Sequence, residues 1–260
     1  MEYVVTDFKK SLLAWRFWTL FGYHDAFGPL HRTRFGLLFY TLQALLRATV
    51  IFLVLGPSIA SGSSEYFGYV ALGLPIFSFY SNAVTSGYGI LSRNKAMIEN
   101  GKVPFIACIF RFFIDQSVRF LFAIVIYFGF LVLHPSTLTL ASLLLIPGLL
   151  VAIVFVFAVA LTFMVISAFF PDLSEAVNAV MGILFFATPI FWYPGERGEI
   201  RNFIANANPF THLISIVREP ALGHAPEIIS YVYACSLTLF LVGVSVCLFG
   251  IARNWMIFKL

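Results

Sequence analysis

Arg111, Asp115 and Arg119 recur at every fourth position, which stacks them on one face of a helix. Such a row has two readings: a charged ladder at the mouth of a membrane passage, or an interfacial helix anchored by ordinary ion pairs. A further cation, Arg47, stands about twelve residues into an apolar run that begins near residue 35. That depth makes snorkelling to an interface harder, so a pore-facing or carboxylate-paired arginine stands beside the snorkelling reading. Other chemistry is sparse. His24, His31, His134, His212 and His224 are scattered, and no pair has zinc-ligand spacing. Cys108, Cys235 and Cys247 lie in or near apolar stretches without metal or redox spacing and read as packing residues. There is no nucleotide-binding lysine motif, no Gly-x-Ser-x-Gly and no Gly-x-Gly-x-x-Gly. Glu196, Glu199, Glu219 and Glu227 form one acidic group whose spacing fits no reaction. No catalytic residue, metal site or cofactor is therefore expected in this chain. Its net charge of +4 comes without a basic run, so no nucleic acid is expected either. The middles of the apolar runs hold almost no Asp, Glu or His, which argues against proton or sodium coupling.

The aromatic residues are the more informative set: 31 Phe, 11 Tyr and 4 Trp, clustered at Phe77, Phe79, Tyr80 and Tyr88 and again at Phe185, Phe186, Phe191, Trp192 and Tyr193. Ring faces pack on the C–H faces of sugars, and Tyr and Trp can hydrogen-bond sugar hydroxyls, so these clusters suit a glycan path. They equally suit lipid-facing Phe with interfacial belts of Tyr and Trp.

The elements that carry these residues follow from composition. Hydrophobic residues make up 60% of the chain and charged residues 11%, against about 45–50% and about 25% in soluble domains. That excess needs lipid to cover it. Residues 4–23 read as an amphipathic helix in the headgroup plane, with Phe8, Leu12 and Trp15 at helical spacing and Lys9, Lys10 and Arg16 between them. Asp7, Lys9, Lys10 and Arg16 also exclude a secretory signal peptide. Residues 1–34 thus form an interface helix and a basic lead-in, and residues 35–260 a transmembrane domain.

Six spans are expected, at about 35–55, 67–91, 113–133, 139–168, 176–193 and 228–251. The whole is an all-α, polytopic membrane protein. The polar segments 1–34, 92–119 and 252–260 hold 5, 5 and 2 of the 16 Lys and Arg residues, and they alternate correctly to share one side of six spans. The positive-inside rule makes that side, with both termini, cytoplasmic. No internal repeat is visible, so an inverted-repeat carrier gains no support.

Several segments, in order, resemble the permease subunit of polysaccharide ABC exporters, the O-antigen and capsule members of the ABC type-2 transporter superfamily. They are Asp25, then Thr33-Arg34-Phe35-Gly36 leading to Gln43-Ala44, and Asn94-Lys95-Ala96-Met97-Ile98 with Pro104. They continue with Phe170-Pro171-Asp172-Leu173, Thr188-Pro189-Ile190, Asn208-Pro209-Phe210-x-His212 and Arg218-x-Pro220-x-Leu222-Gly223. Phe39 replaces the family's usual Trp, Ala44 its Pro and Pro171 its Arg, which sets the chain off-centre in the family.

The resemblance implies a half-transporter in the bacterial inner (cytoplasmic) membrane. It would work as a homodimer with two copies of a separate ATPase subunit, which would bind the ATP and Mg. The substrate would be a lipid-linked polysaccharide; a teichoic acid, lipid or drug on the same scaffold is the alternative, and a glycan-handling membrane enzyme a more distant one. Residues 92–104 would be the coupling segment, carried by Asn94, Lys95, Glu99, Lys102 and Pro104. Residues 194–227 would be the outer gate, built from short re-entrant helices between spans five and six. Arg32, Arg34 and Arg47 would meet the substrate's phosphate headgroup. Phe39, Tyr40, Phe77, Tyr80, Tyr88, Phe185, Phe186 and Trp192 would line the sugar path.

Overall fold

A computed structural model of the chain describes residues 2–28, 38–56, 63–101, 103–134, 138–194 and 198–259. Arg32, Arg34 and Lys102 lie outside the described residues. Those that are described fold into helices alone: α1 (Glu2–Leu13), α2 (Trp15–Phe27), α3 (Leu38–Leu55), α4 (Ser63–Tyr88), α5 (Ile90–Glu99), α6 (Phe105–Leu133), α7 (Leu145–Phe169), α8 (Ser174–Ala187), α9 (Glu199–Ala207), α10 (Pro209–Ala221) and α11 (Ile228–Lys259). Short 3₁₀ turns at Leu140–Leu144 and Pro171–Leu173 lead into α7 and α8.

Among the described residues, five stretches are long and apolar enough to cross a membrane: Leu38–Leu55, Glu65–Tyr88, Phe105–Leu133, Leu140–Phe169 and Ile228–Met256. The segment expected as the fifth span behaves differently. Its helix, α8, has 14 residues, about 21 Å at 1.5 Å per residue, which falls short of the ~30 Å hydrocarbon core. The helix stops where Thr188 turns to extended backbone (φ −89°, ψ 137°) ahead of Pro189, because the residue before a proline is pushed out of the helical region.

The helices differ sharply in cover. Over an 18-residue apolar stretch of α4, 78% of the residues are buried, whereas over the 18 residues of α3 only 6% are, so α4 is the central post and α3 a peripheral strut. Close packing around α4 depends on small residues, as expected where helices associate without a hydrophobic drive. A Cβ on Gly87 would sit 3.1 Å from Ala160 Cα of α7, and one on Gly68 would sit 2.8 Å from the Phe130 ring of α6. Tyr80, fully buried, donates its hydroxyl to the Leu213 carbonyl of α10 at 3.0 Å. Replacing Tyr80 by Phe keeps the ring and removes one neutral hydrogen bond. A loss of about 1 kcal/mol is expected, measurable as a lower midpoint of thermal unfolding in detergent.

The N-terminal helices sit against the bundle by an unexpected face. Asp7, Ser11, Gly22 and Ala26 are the buried positions, with Trp18 half-buried between them, a seam of small and polar residues repeating at about every fourth position. The apolar stripe read from the sequence faces outward: Phe8 is 45% exposed, Leu12 46% and Trp15 54%. The seam is polar because it meets polar groups. Asp7 accepts a hydrogen bond from the Ile106 backbone N–H at 3.0 Å, in the first turn of α6, and lies 3.6 Å from Arg253 of α11. A carboxylate there satisfies one of the free donors of that turn and complements the helix dipole. Glycine is required at position 22, where a Cβ would stand 2.8 Å from the Arg111 carbonyl.

Candidate functional site

The ladder of α6 separates into two units. Arg111 reaches away from Asp115 to α2, where Nε and Nη2 donate to the two carboxylate oxygens of Asp25 at 2.6 and 2.8 Å. This is the bidentate geometry that suits guanidinium to carboxylate. Its Nη1 donates to Asn94 Oδ1 of α5 at 2.8 Å, and Phe21 lies beneath the guanidinium at 5.2 Å. One side chain therefore joins α2, α5 and α6. Asp115 is held from its own helix by Arg119 at 2.8 Å and by Gln116 at 3.1 Å. Arg93 donates to the carbonyls of Gly89 and Ser86, near the end of α4. Asp25, Arg93, Asn94, Arg111, Asp115 and Arg119 line one cavity of about 770 Å³.

The outer face of α5 is polar by contrast with its buried side. Ile90, Leu91, Asn94 and Ile98 face inward, while Ser92, Arg93, Lys95, Ala96 and Glu99 are exposed. Lys95 and Glu99 form an i, i+4 pair at 3.7 Å. After α5 the chain turns through Gly101 at φ +64°, a left-handed conformation that glycine adopts without strain. Pro104, in extended conformation, then precedes α6.

Arg119 also lines a second, smaller cavity of about 280 Å³ between α3, α4 and α6, and so does Arg47. The Arg119 guanidinium stands 5.0 Å over the Tyr40 ring. Arg47 is exposed and makes no ion pair with any described residue. A lone arginine at that depth of a span costs about 2.5–3.5 kcal/mol on insertion scales, so its place in a polar groove is chemically informative.

At the opposite end, three motifs between residues 188 and 223 converge with Tyr69 of α4. Asn208 caps α10 by accepting from the Phe210 N–H at 3.0 Å, and donates to the Thr188 hydroxyl at 2.8 Å. Arg218, 3% exposed, donates to the Pro189 carbonyl at 2.8 Å and stacks 3.5 Å from the Tyr69 ring centre. Tyr69 donates to the same carbonyl at 2.9 Å. His212 packs flat on Tyr233 and its ring nitrogens meet Ser230 and the Asn206 carbonyl, each at 3.1 Å. Together these contacts hold α10 between the end of α8, the start of α4 and α11. A polar cavity of about 690 Å³ opens beside them.

The predicted aromatics fall into three groups. Phe77, Tyr80 and Tyr88 are buried in the helix core, and Phe77 meets the half-buried Phe185 at 5.5 Å. Phe39 and Phe186 lie on the outside, and Trp192 donates its indole N–H to the Phe186 carbonyl at 3.3 Å. Tyr40 lines the groove with Arg47. The pairings Asp25–Arg111, Asp7–Ile106 and Arg218–Pro189 link residues 86, 99 and 29 positions apart. No local spacing signals them. The chain matches no family model, and no curated protein matches it.

Proposed function

We propose that this chain is the channel-forming membrane subunit of an ATP-driven exporter for a lipid-linked polysaccharide of the O-antigen or capsule type. One observation carries the reading. Five of the seven segments that resemble the polysaccharide-exporter permeases meet in two hydrogen-bonded clusters at opposite ends of the bundle. Asp25 and Asn94 meet at Arg111, and Thr188-Pro189, Asn208 and Arg218 meet around α10. Residues scattered along a chain by chance have no reason to be mutual partners.

In this reading the chain crosses the inner membrane six times with both termini in the cytoplasm. The fifth crossing is α8 continued by the turn at residues 188–193. Helices α9 and α10 re-enter from the outside and close the outer mouth. A second copy packs beside the sparsely covered α3 and α8, where Leu53 and Ile183 stand exposed. The polar outer face of α5 docks into a separate ATPase, and Arg111 transmits its movement to α2 and α6. Of the predicted aromatics, the exposed Phe39 and Phe186 and the groove-lining Tyr40 are those open to a passing glycan.

The experiment is ATP hydrolysis and glycan translocation in proteoliposomes that hold the chain with the ATPase from its gene neighbourhood. Hydrolysis is expected to rise with a lipid-linked glycan. Glu99→Lys, which reverses a charge on the exposed face of α5, is expected to abolish that rise while leaving the fold intact. A wild-type complex that responds to no lipid-linked glycan would count against the reading.

A further inference from the structure

The groove between α3, α4 and α6 carries an excess of positive charge. From α3 come Tyr40, Gln43 and Arg47, spaced at i, i+3 and i+7 on one face. From α4 comes Asn82, and from α6 come Gln116 and Arg119. The charges do not cancel. Among the described residues that line the groove none is a carboxylate, and Asp115, on the same helix as Arg119, is already held by Arg119 and Gln116. Helix α3 carries no acidic residue, and the acidic residue of α4, Glu65, stands near that helix's far end. Gln43 and Asn82 hydrogen-bond to no described residue.

The position of Arg47 makes the imbalance significant. Nine residues of α3 precede it and eight follow, about 12–14 Å in each direction, so neither membrane surface is close. The cavity of about 280 Å³ equals about nine water volumes. It borders exposed apolar surface, since Leu42 and Leu46, one turn apart on α3 and on the same flank of Gln43, are exposed.

We infer that this groove binds the phosphate or pyrophosphate headgroup of a membrane lipid. Two guanidiniums supply charge-assisted donors for the oxyanion, and the Gln43 and Asn82 amides and the Tyr40 hydroxyl supply neutral ones. The lipid's tail lies along the exposed side of α3. The inference deepens the exporter reading by assigning a place to the substrate's anionic end, but its test is binding and not export.

The test uses the purified full-length chain in phosphatidylcholine nanodiscs and the equilibrium binding of a fluorescent prenyl pyrophosphate. The unlabelled pyrophosphate is expected to compete at least about tenfold better than the corresponding prenol, and Arg47→Gln to weaken binding about tenfold. Arg47→Lys should retain part of the affinity, and Asn82→Leu should weaken it by a smaller factor. Arg119 is left unaltered because it holds Asp115. Equal affinity for prenol and prenyl pyrophosphate, or unchanged affinity in Arg47→Gln, overturns the site. Inorganic pyrophosphate competing as well as the prenyl form overturns the lipid source. Arg47-dependent binding without export in the wild-type complex removes the exporter reading alone. Export with Arg47-independent binding removes the site alone.

Discussion

Replacing Gly148 by alanine is expected to give the largest loss of stability of any single methyl group added to this chain. A Cβ at that position would lie 2.1 Å from the Ile216 carbonyl oxygen and 3.0 Å from its carbon. The obstacle is the backbone of α10, so no side-chain rotation relieves it. Either α7 or α10 must shift, and α10 is the more constrained. It is tied to Tyr80 of α4, to Pro189 after α8 and to Ser230 of α11. Overpacking a filled interface costs about 1–3 kcal/mol, and a rigid obstacle places Gly148→Ala at about 3 kcal/mol. In detergent that is a fall in unfolding midpoint of about 6–12 °C for a chain of this size. Gly182 and Gly243 provide the comparison, because a Cβ at either meets nothing within 4 Å. Their alanine variants are expected to be neutral or slightly stabilising, since alanine favours helix. Equal midpoints for Gly148→Ala and Gly243→Ala would show that α10 does not lie against α7 in this way.

The second large effect is expected at the Asp25–Arg111 pair. The side chains are 34% and 15% exposed, between a surface pair and a buried one. Removing Arg111 (Arg111→Met) leaves Asp25 without its bidentate partner and Asn94 Oδ1 without its donor. Broken buried pairs cost about 3–5 kcal/mol and exposed pairs about 0–1, so about 2–3 kcal/mol is expected here. The consequence is local as well as global, because the pair fastens α2 to α6. Limited proteolysis should cut first near α2 in Arg111→Met and not in the wild type. A double-mutant cycle with Asp25→Asn isolates the pair: the double variant should be more stable than the sum of the single losses predicts. Strict additivity would mean that the two residues do not interact. In the exporter reading the same variants should also weaken the response of ATP hydrolysis to substrate, because the α2–α5–α6 junction transmits the motion.

The sequence alone was sufficient for the long spans. Runs such as Leu145–Phe169 hold no charge at all, and covering so much apolar surface requires lipid whatever the partners. It was also sufficient for the Asp115–Arg119 pair, because residues four apart on a helix are neighbours by geometry. The length of α8 was legible too, from a different signal: the apolar residues continue to Tyr193, but Pro189 ends the helical backbone early. Hydropathy registers apolar atoms and is blind to that break. What needed the tertiary structure was every long-range polar contact. Arg111 chose Asp25 over Asp115, and Asp7 turned inward to cap α6, in a stretch whose apolar stripe pointed the other way. Arg47 was legible as an isolated charge, but its groove was not. Tyr40 and Gln43 are near it in the chain, whereas Asn82 and Arg119 reach it only when α4 and α6 pack against α3. Periodicity encodes which residues share a face of one helix. Which faces then meet depends on close approach at glycines such as Gly22, Gly68 and Gly148, and on polar groups finding partners where water is absent.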